Sequence, residues 1–306
     1  MAIKLNFGKI WQFIKDVFNK WLDDKAPKLG AALSFYTIFS LAPLLIIVIS
    51  VAGFIFGPDA ARGELVGQIE DLVGREGAEV VQTALKNTND PKSGIIAIVV
   101  SLITLVIGST AVFVELQESL DIIWRVKPKP GRNIFRGLLA DRVQSFALVV
   151  ATGFLLLVSL LVSTAIAALS NFVNERLLAV PIYVLDIANL IISFGVIFIL
   201  FAMIYKVLPD VNLGWKDVWV GAMVTTVLFV LGKYLIGLYI GSSSLGSTYG
   251  AAGSLVIFLL WIYYSAQILF LGVEFTYIYT VRYGSGIKPS KRFMIYEINP
   301  ITHDGG

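Results

Sequence analysis

The chain has 306 residues, 57% of them hydrophobic and only 15% charged, with a mean hydropathy of +0.81 and a formal net charge of +3. Soluble domains carry about 25% charged residues, so this composition points away from an ordinary water-soluble fold. There is no cysteine, and the one histidine, His303, stands three residues from the end, which removes disulfides, thiolate nucleophiles, Cys/His zinc sites and Ser-His-Asp triads.

The first 28 residues hold six lysines, and the apolar run that follows is too long for the core of a signal peptide, so it reads as a retained first span. Within residues 3–22, Ile3, Phe7, Ile10, Trp11, Ile14, Val17, Phe18 and Trp21 recur at helical spacing. They predict an amphipathic helix over 1–28. It lies in the inner headgroup layer or packs on the protein's own cytoplasmic face, and the two placements are compatible.

Six apolar runs follow: Leu29 to Gly57, Gly94 to Val114, Val143 to Leu169, Pro181 to Tyr205, Val218 to Ile240 and Ala252 to Thr280. Each reaches the roughly 20 residues that a helix needs to cross the hydrocarbon core. Runs such as 147–162 are apolar all round, as lipid-surrounded helices are. The expected fold is an all-α integral membrane protein. It comprises a six-helix transmembrane bundle over 29–283, a short helical outer loop at 58–93 and a cytoplasmic tail at 284–306.

Pro43 falls inside the first span and predicts a kink, with the Ser40 hydroxyl placed to serve the carbonyl that proline frees. Eighteen of the 24 Lys and Arg residues fall on one side of this topology and five on the other, with Lys233 inside a span. Basic residues accumulate in the cytoplasm, so both termini are expected there. Anionic headgroups account for the net charge without a nucleic-acid partner.

No Walker A sequence is present, since Gly232-Lys233 lacks the glycine five positions earlier, and no Gly-x-Ser-x-Gly elbow occurs. No cofactor is expected. Ionisable and amide groups within spans are costly in lipid and face a bundle interior or an aqueous path. Depth counted from the span ends predicts two sets. The outer set is Lys233, Asp186, Asn189 and Gln267, with Lys233 and Asp186 as a pair. The inner set is Glu115, Glu118, Asp121, Arg142 and Glu274, with Arg142 beside Glu274. Both fit either a headgroup-binding path or plain helix–helix glue. Glu115, Glu118 and Asp121 are also a weak candidate for a divalent cation, against a solvated helix end in which Asp121 pairs with Arg125. The uncharged stretch 241–254 holds Gly241, Gly246, Tyr249, Gly250 and Gly253, and reads as a mobile gate or an ordinary turn.

Two segments carry a resemblance. Residues 32–45, ALSFYTIFSLAPLL, are similar to the first-span signature of the YihY/BrkB family of bacterial inner-membrane proteins. Residues 249–276, with YGAAGS, LWIYYSAQ and LGVEFT, resemble its last-span signature, and Ile122-Ile123-Trp124 and Leu208-Pro209 also fit. The resemblance implies a six-span protein of the bacterial cytoplasmic membrane, cell-envelope phenotypes and a lipid-translocating role. An older ribonuclease label for the family is regarded as misassigned.

The leading expectation is a transporter or flippase for an amphiphilic, anionic, lipid-linked envelope component. The alternatives are a membrane-embedded hydrolase or nuclease-like enzyme, and a structural or regulatory scaffold.

Overall fold

The computed structural model describes residues 7–57, 95–130, 182–242 and 252–296, and nine single helical positions between them. Among the described residues there are six helices: α1 (Phe7–Asp23), α2 (Ala26–Phe56), α3 (Ile95–Ile123), α4 (Ile182–Val207), α5 (Trp215–Ser242) and α6 (Gly253–Arg282). Two short strands, β1 (Val126–Pro128) and β2 (Phe293–Ile295), pair antiparallel with Lys127 opposite Met294. By length and composition, Trp215–Ile240 and Gly253–Arg282 are apolar enough to cross a membrane. Helices α2, α3 and α4 have 31, 29 and 26 residues, each about 39 Å or longer at 1.5 Å per residue. The expected third span lies outside the described residues save Val143 and Ala147, and the outer loop 58–93 lies outside them save seven helical positions.

Among the described helices, α6 is the centre of the bundle. It packs against α5, α2 and α1, while α2 packs on α3 and α4 on α5. Its crossing with α5 is reciprocal. A methyl group at Gly221 would collide with Thr276, and one at Gly272 would collide with Thr225. Each threonine hydroxyl donates back to the carbonyl four residues earlier, Thr225 to Gly221 at 2.8 Å and Thr276 to Gly272 at 2.6 Å. Small residues thus bring the backbones close while no hydroxyl is left dry, the arrangement by which helices associate where lipid offers no hydrophobic drive. Tyr205 of α4 ties the crossing together: its hydroxyl lies 2.7 Å from Thr225 Oγ1 and donates to the Leu269 carbonyl at 3.0 Å.

The most deeply buried side chains, including Trp124, Tyr205, Phe270, Leu120 and Leu208, gather toward one end. There the chain after α3, α4 and α6 knits into a platform. The Asn212 N–H donates to Lys288 O at 2.7 Å, Ser290 to Asp210 O at 2.9 Å and Tyr296 to Arg125 O at 2.9 Å. The fold is therefore not purely helical, and residues 284–296 belong to the platform. Backbone groups leaving three helix ends have no intrahelical partners and satisfy one another here.

Helix α1 lies against α6 and α2 at this end. Val17 is buried, Phe13 packs edge-on against Phe275 at 5.2 Å, and Asp16 pairs with Arg282. Ile10, Trp11, Ile14, Phe18 and Leu22 stay exposed. Pro43 stands inside α2, with Gly108 of α3 against its ring, where a Cβ would come within 2.8 Å. Among the described residues the buried Ser40 hydroxyl makes no hydrogen bond, so it is not seen to serve the carbonyl freed by Pro43.

Candidate functional site

Glu274 lies on the face of α6 turned toward α1 and is fully buried. The base that meets it is Lys20 of α1, whose Nζ is 3.0 Å from Oε2. Lys20 also pairs with Asp24 at the α1–α2 turn and donates to the Ile123 carbonyl at 3.3 Å. Its ammonium sits 4.0 Å from the Tyr277 ring centroid, a cation–π contact that offsets part of its lost hydration. Arg125, just beyond α3, donates from Nη2 to Asp24 Oδ1 at 2.7 Å. Two carboxylates and two cations thus form one chain, Glu274–Lys20–Asp24–Arg125, joining α6, α1, the turn and the exit of α3.

The network is neutral in sum but unevenly satisfied. Asp24 receives hydrogen bonds from both cations. Glu274 has the ammonium close by, yet neither carboxylate oxygen accepts an aligned hydrogen bond among the described residues. One cation serves Glu274 where two serve Asp24, which is costly for a buried carboxylate. The non-glycine residues Lys25 (φ 55°) and Arg125 (φ 58°) take left-handed backbone beside the cluster. Such conformations cost about 1–3 kcal/mol each and persist where the surroundings over-determine them.

Several expected contacts are replaced. Glu274 meets Lys20, while Arg142, its expected partner, lies outside the described residues. Arg125 is drawn to Asp24 rather than Asp121. Asp121 Oδ1 accepts the Asp210 N–H at 2.9 Å, and Gln117 donates to Asp210 Oδ2 at 2.9 Å, so α3 holds the platform loop. Glu118 is exposed and Glu115 half-buried. Among the described residues, no group of three His, Cys, Asp or Glu is arranged to hold a metal ion.

The outer set does not converge. Tyr205 meets Thr225 and Phe201 meets Phe229, which fixes the antiparallel register of α4 on α5. That register sets Ile197 opposite Lys233, and Asp186 about 16 Å further along α4 at 1.5 Å per residue. Lys233 is half-buried. Asp186 and Asn189 lie in the first turns of α4, their side chains outside the description. Gln267 turns to α2, where its amide crowds Gly30, and neither amide atom has a partner among the described residues. Of the gate residues, Gly241 lies in the last turn of α5 and Gly253 opens α6, buried. Gly246, Tyr249 and Gly250 lie outside the described residues.

Sequence reasoning missed Lys20 and Asp24. Their i, i+4 spacing was readable, but it described an ordinary surface pair on an amphipathic helix.

The model of the family Virulence factor BrkB matches residues 17–294, a stretch that includes all four charges of the network. The chain is 24% identical over 299 residues to a UPF0761 membrane protein of Psychrobacter sp. (strain PRwf-1), covering 96% of this chain and 53% of that protein. It is 28% identical to a UPF0761 membrane protein of Pseudomonas paraeruginosa (85% of this chain, 61% of the relative) and to one of Ralstonia nicotianae (82% and 54%). The chain therefore spans about half to three-fifths of the length of these relatives. No solved structure matches. The family match over nearly the whole chain, the membrane proteins it resembles and the long apolar helices agree: this chain is a membrane protein and belongs to the Virulence factor BrkB family, the YihY/BrkB family to which its first-span and last-span segments point.

Proposed function

We propose that the chain spans a bacterial cytoplasmic membrane six times, with both termini in the cytoplasm, and moves an amphiphilic, anionic, lipid-linked envelope component across it. The observation that carries this reading is a file of buried polar groups along α6. Glu274 and Gln267 are seven residues apart, on one face of α6 and about 10 Å apart along its axis. Both hold polar atoms without hydrogen-bond partners among the described residues, as does Ser40 on α2. Dry polar groups in a spanning helix are expensive, and they persist where a path or ligand uses them. In this reading Lys233 attracts a phosphate or carboxylate headgroup, and the segment bracketed by Gly241 and Gly253 is the gate.

A fluorescent phosphatidylglycerol translocation assay in proteoliposomes tests the reading. Gln267→Leu is expected to slow translocation about tenfold, the worth of one polar contact of about 1.4 kcal/mol. An unchanged rate would remove the polar file from the mechanism. The reciprocal Gly221–Thr276 and Gly272–Thr225 packing favours a second reading, a rigid scaffold. A well-folded protein that translocates no lipid supports it.

The orientation rests on the basic excess and on one shared platform, since the segments after α3, α4 and α6 meet at the end where α1 lies. The chain has no native cysteine, so single cysteines report cleanly. An impermeant thiol reagent added outside intact cells is expected to label Thr88→Cys and spare Ser290→Cys. The reverse pattern would invert the topology.

A further inference from the structure

We infer that Glu274 is a proton-binding site that couples the proposed transport to a proton gradient, and that Lys20 carries its charge state to α1. The inference rests on the transport reading for its consequence, but the site itself is argued from the network alone.

Among the described residues, the charged groups that face Glu274 belong to the network. From α1 and its turn come Lys20 and Asp24, from the exit of α3 comes Arg125, and from α6 itself Tyr277 flanks the ammonium. The other described charges on neighbouring helices are engaged elsewhere or turned out. On α2, Lys28 is exposed. On α3, Glu118 is exposed, Glu115 half-buried and Asp121 bonded to Asp210. On α5, Lys216 is exposed, Asp217 accepts from Ser285 at 2.8 Å and Lys233 lies further along the helix.

Of the two carboxylates, Glu274 is the one to take a proton. Asp24 is hydrogen-bonded by two cations, whereas Glu274 shares one and accepts no aligned hydrogen bond. When Glu274 binds a proton, Asp24 and Arg125 remain a balanced pair and Lys20 becomes a surplus buried cation. An unbalanced buried charge is strongly disfavoured.

Lys20 has an exit. Its side chain is 14% exposed, and α1 is a separate helix joined to α2 through the Asp24–Lys25 turn. The ammonium keeps its own protons and reaches water as α1 swings about that turn. This uncovers the inner end of the file formed by Glu274 and Gln267. The proton then leaves to the other aqueous phase along the same file, and the return of Lys20 resets the site.

The test places nitroxide labels at Lys15→Cys on α1 and Asn212→Cys on the platform, both exposed positions in a chain without native cysteine. Pulsed electron paramagnetic resonance then reads their separation in the whole chain in nanodiscs, between about pH 8 and about pH 5. Acidification is expected to deplete the short-distance population. Glu274→Gln, a mimic of the protonated group, is expected to lose that population at the higher pH as well and to be insensitive to pH. Glu274→Asp is expected to keep the pH response, which shows that the site tolerates substitution.

A separation unchanged by pH, or a Glu274→Gln protein that responds like the parent, overturns the inference. In proteoliposomes an imposed pH gradient is expected to accelerate phosphatidylglycerol translocation in the parent and not in Glu274→Gln. Equal acceleration in both overturns the coupling. If α1 moves with pH but no lipid is translocated under any gradient, the transport reading falls and the proton-binding site stands.

Discussion

Lys20→Met is expected to be among the most damaging single substitutions in this chain, lowering stability by about 3–5 kcal/mol at neutral pH. Methionine preserves most of the stem that packs beside Tyr277 but strands the fully buried carboxylate of Glu274 without its cation. Asp24 suffers less, because Arg125 still holds it at 2.7 Å. The double variant Lys20→Met/Glu274→Gln is expected to recover much of the loss, since a neutral amide no longer needs a counter-charge. Thermal unfolding in detergent, arranged as a double-mutant cycle, gives the coupling. If the double variant is as damaged as the sum of the singles, the two side chains do not act as a pair.

The second large effect belongs to the α5–α6 crossing. Gly221→Ala and Gly272→Ala are each expected to cost about 1–3 kcal/mol, the usual penalty for an extra methyl in a packed contact. The added Cβ would overlap Thr276 in the first case and Thr225 in the second. Neither threonine can turn aside cheaply, because each hydroxyl is bonded to its own helix and Thr225 also meets the Tyr205 hydroxyl. Thr276→Ala is expected to rescue Gly221→Ala by returning the volume. Thr225→Ala should rescue Gly272→Ala less well, because it also leaves the Tyr205 hydroxyl one partner short. Thermal stability of the four singles and two doubles decides this, and singles that unfold with the parent would mean that the crossing is loose.

Both effects lie in contacts that the sequence did not display. Gly221-x-x-x-Thr225 and Gly272-x-x-x-Thr276 were visible as spacings, and each reads as one helix's small face. That the two faces interlock depends on the register of α5 against α6, which the apolar residues around them leave open. Lys20 shows the same limit from the polar side. On its own helix it looks like one solvated lysine among several, and the prediction assigned Glu274 an arginine from another loop. Counting depth from span ends also set Asp186 level with Lys233, whereas Tyr205 and Phe201 draw α4 into a register that parts them.

What the sequence determined by itself is the solvent, the element type and the family. Long apolar runs have low free energy only in lipid, and lipid admits them only as helices or closed barrels, so composition and run length suffice. Five of the six runs coincide with helices α2 to α6, and the resemblance of the first and last spans to the YihY/BrkB family agrees with the family match over residues 17–294. What only the tertiary structure decided is which polar groups meet. The helices are nearly uniform apolar cylinders, so hydropathy carries no preference for rotation or register. Those are set by a few glycines that permit close approach, a few threonines that fill them and four charges that must be neutralised together at one end.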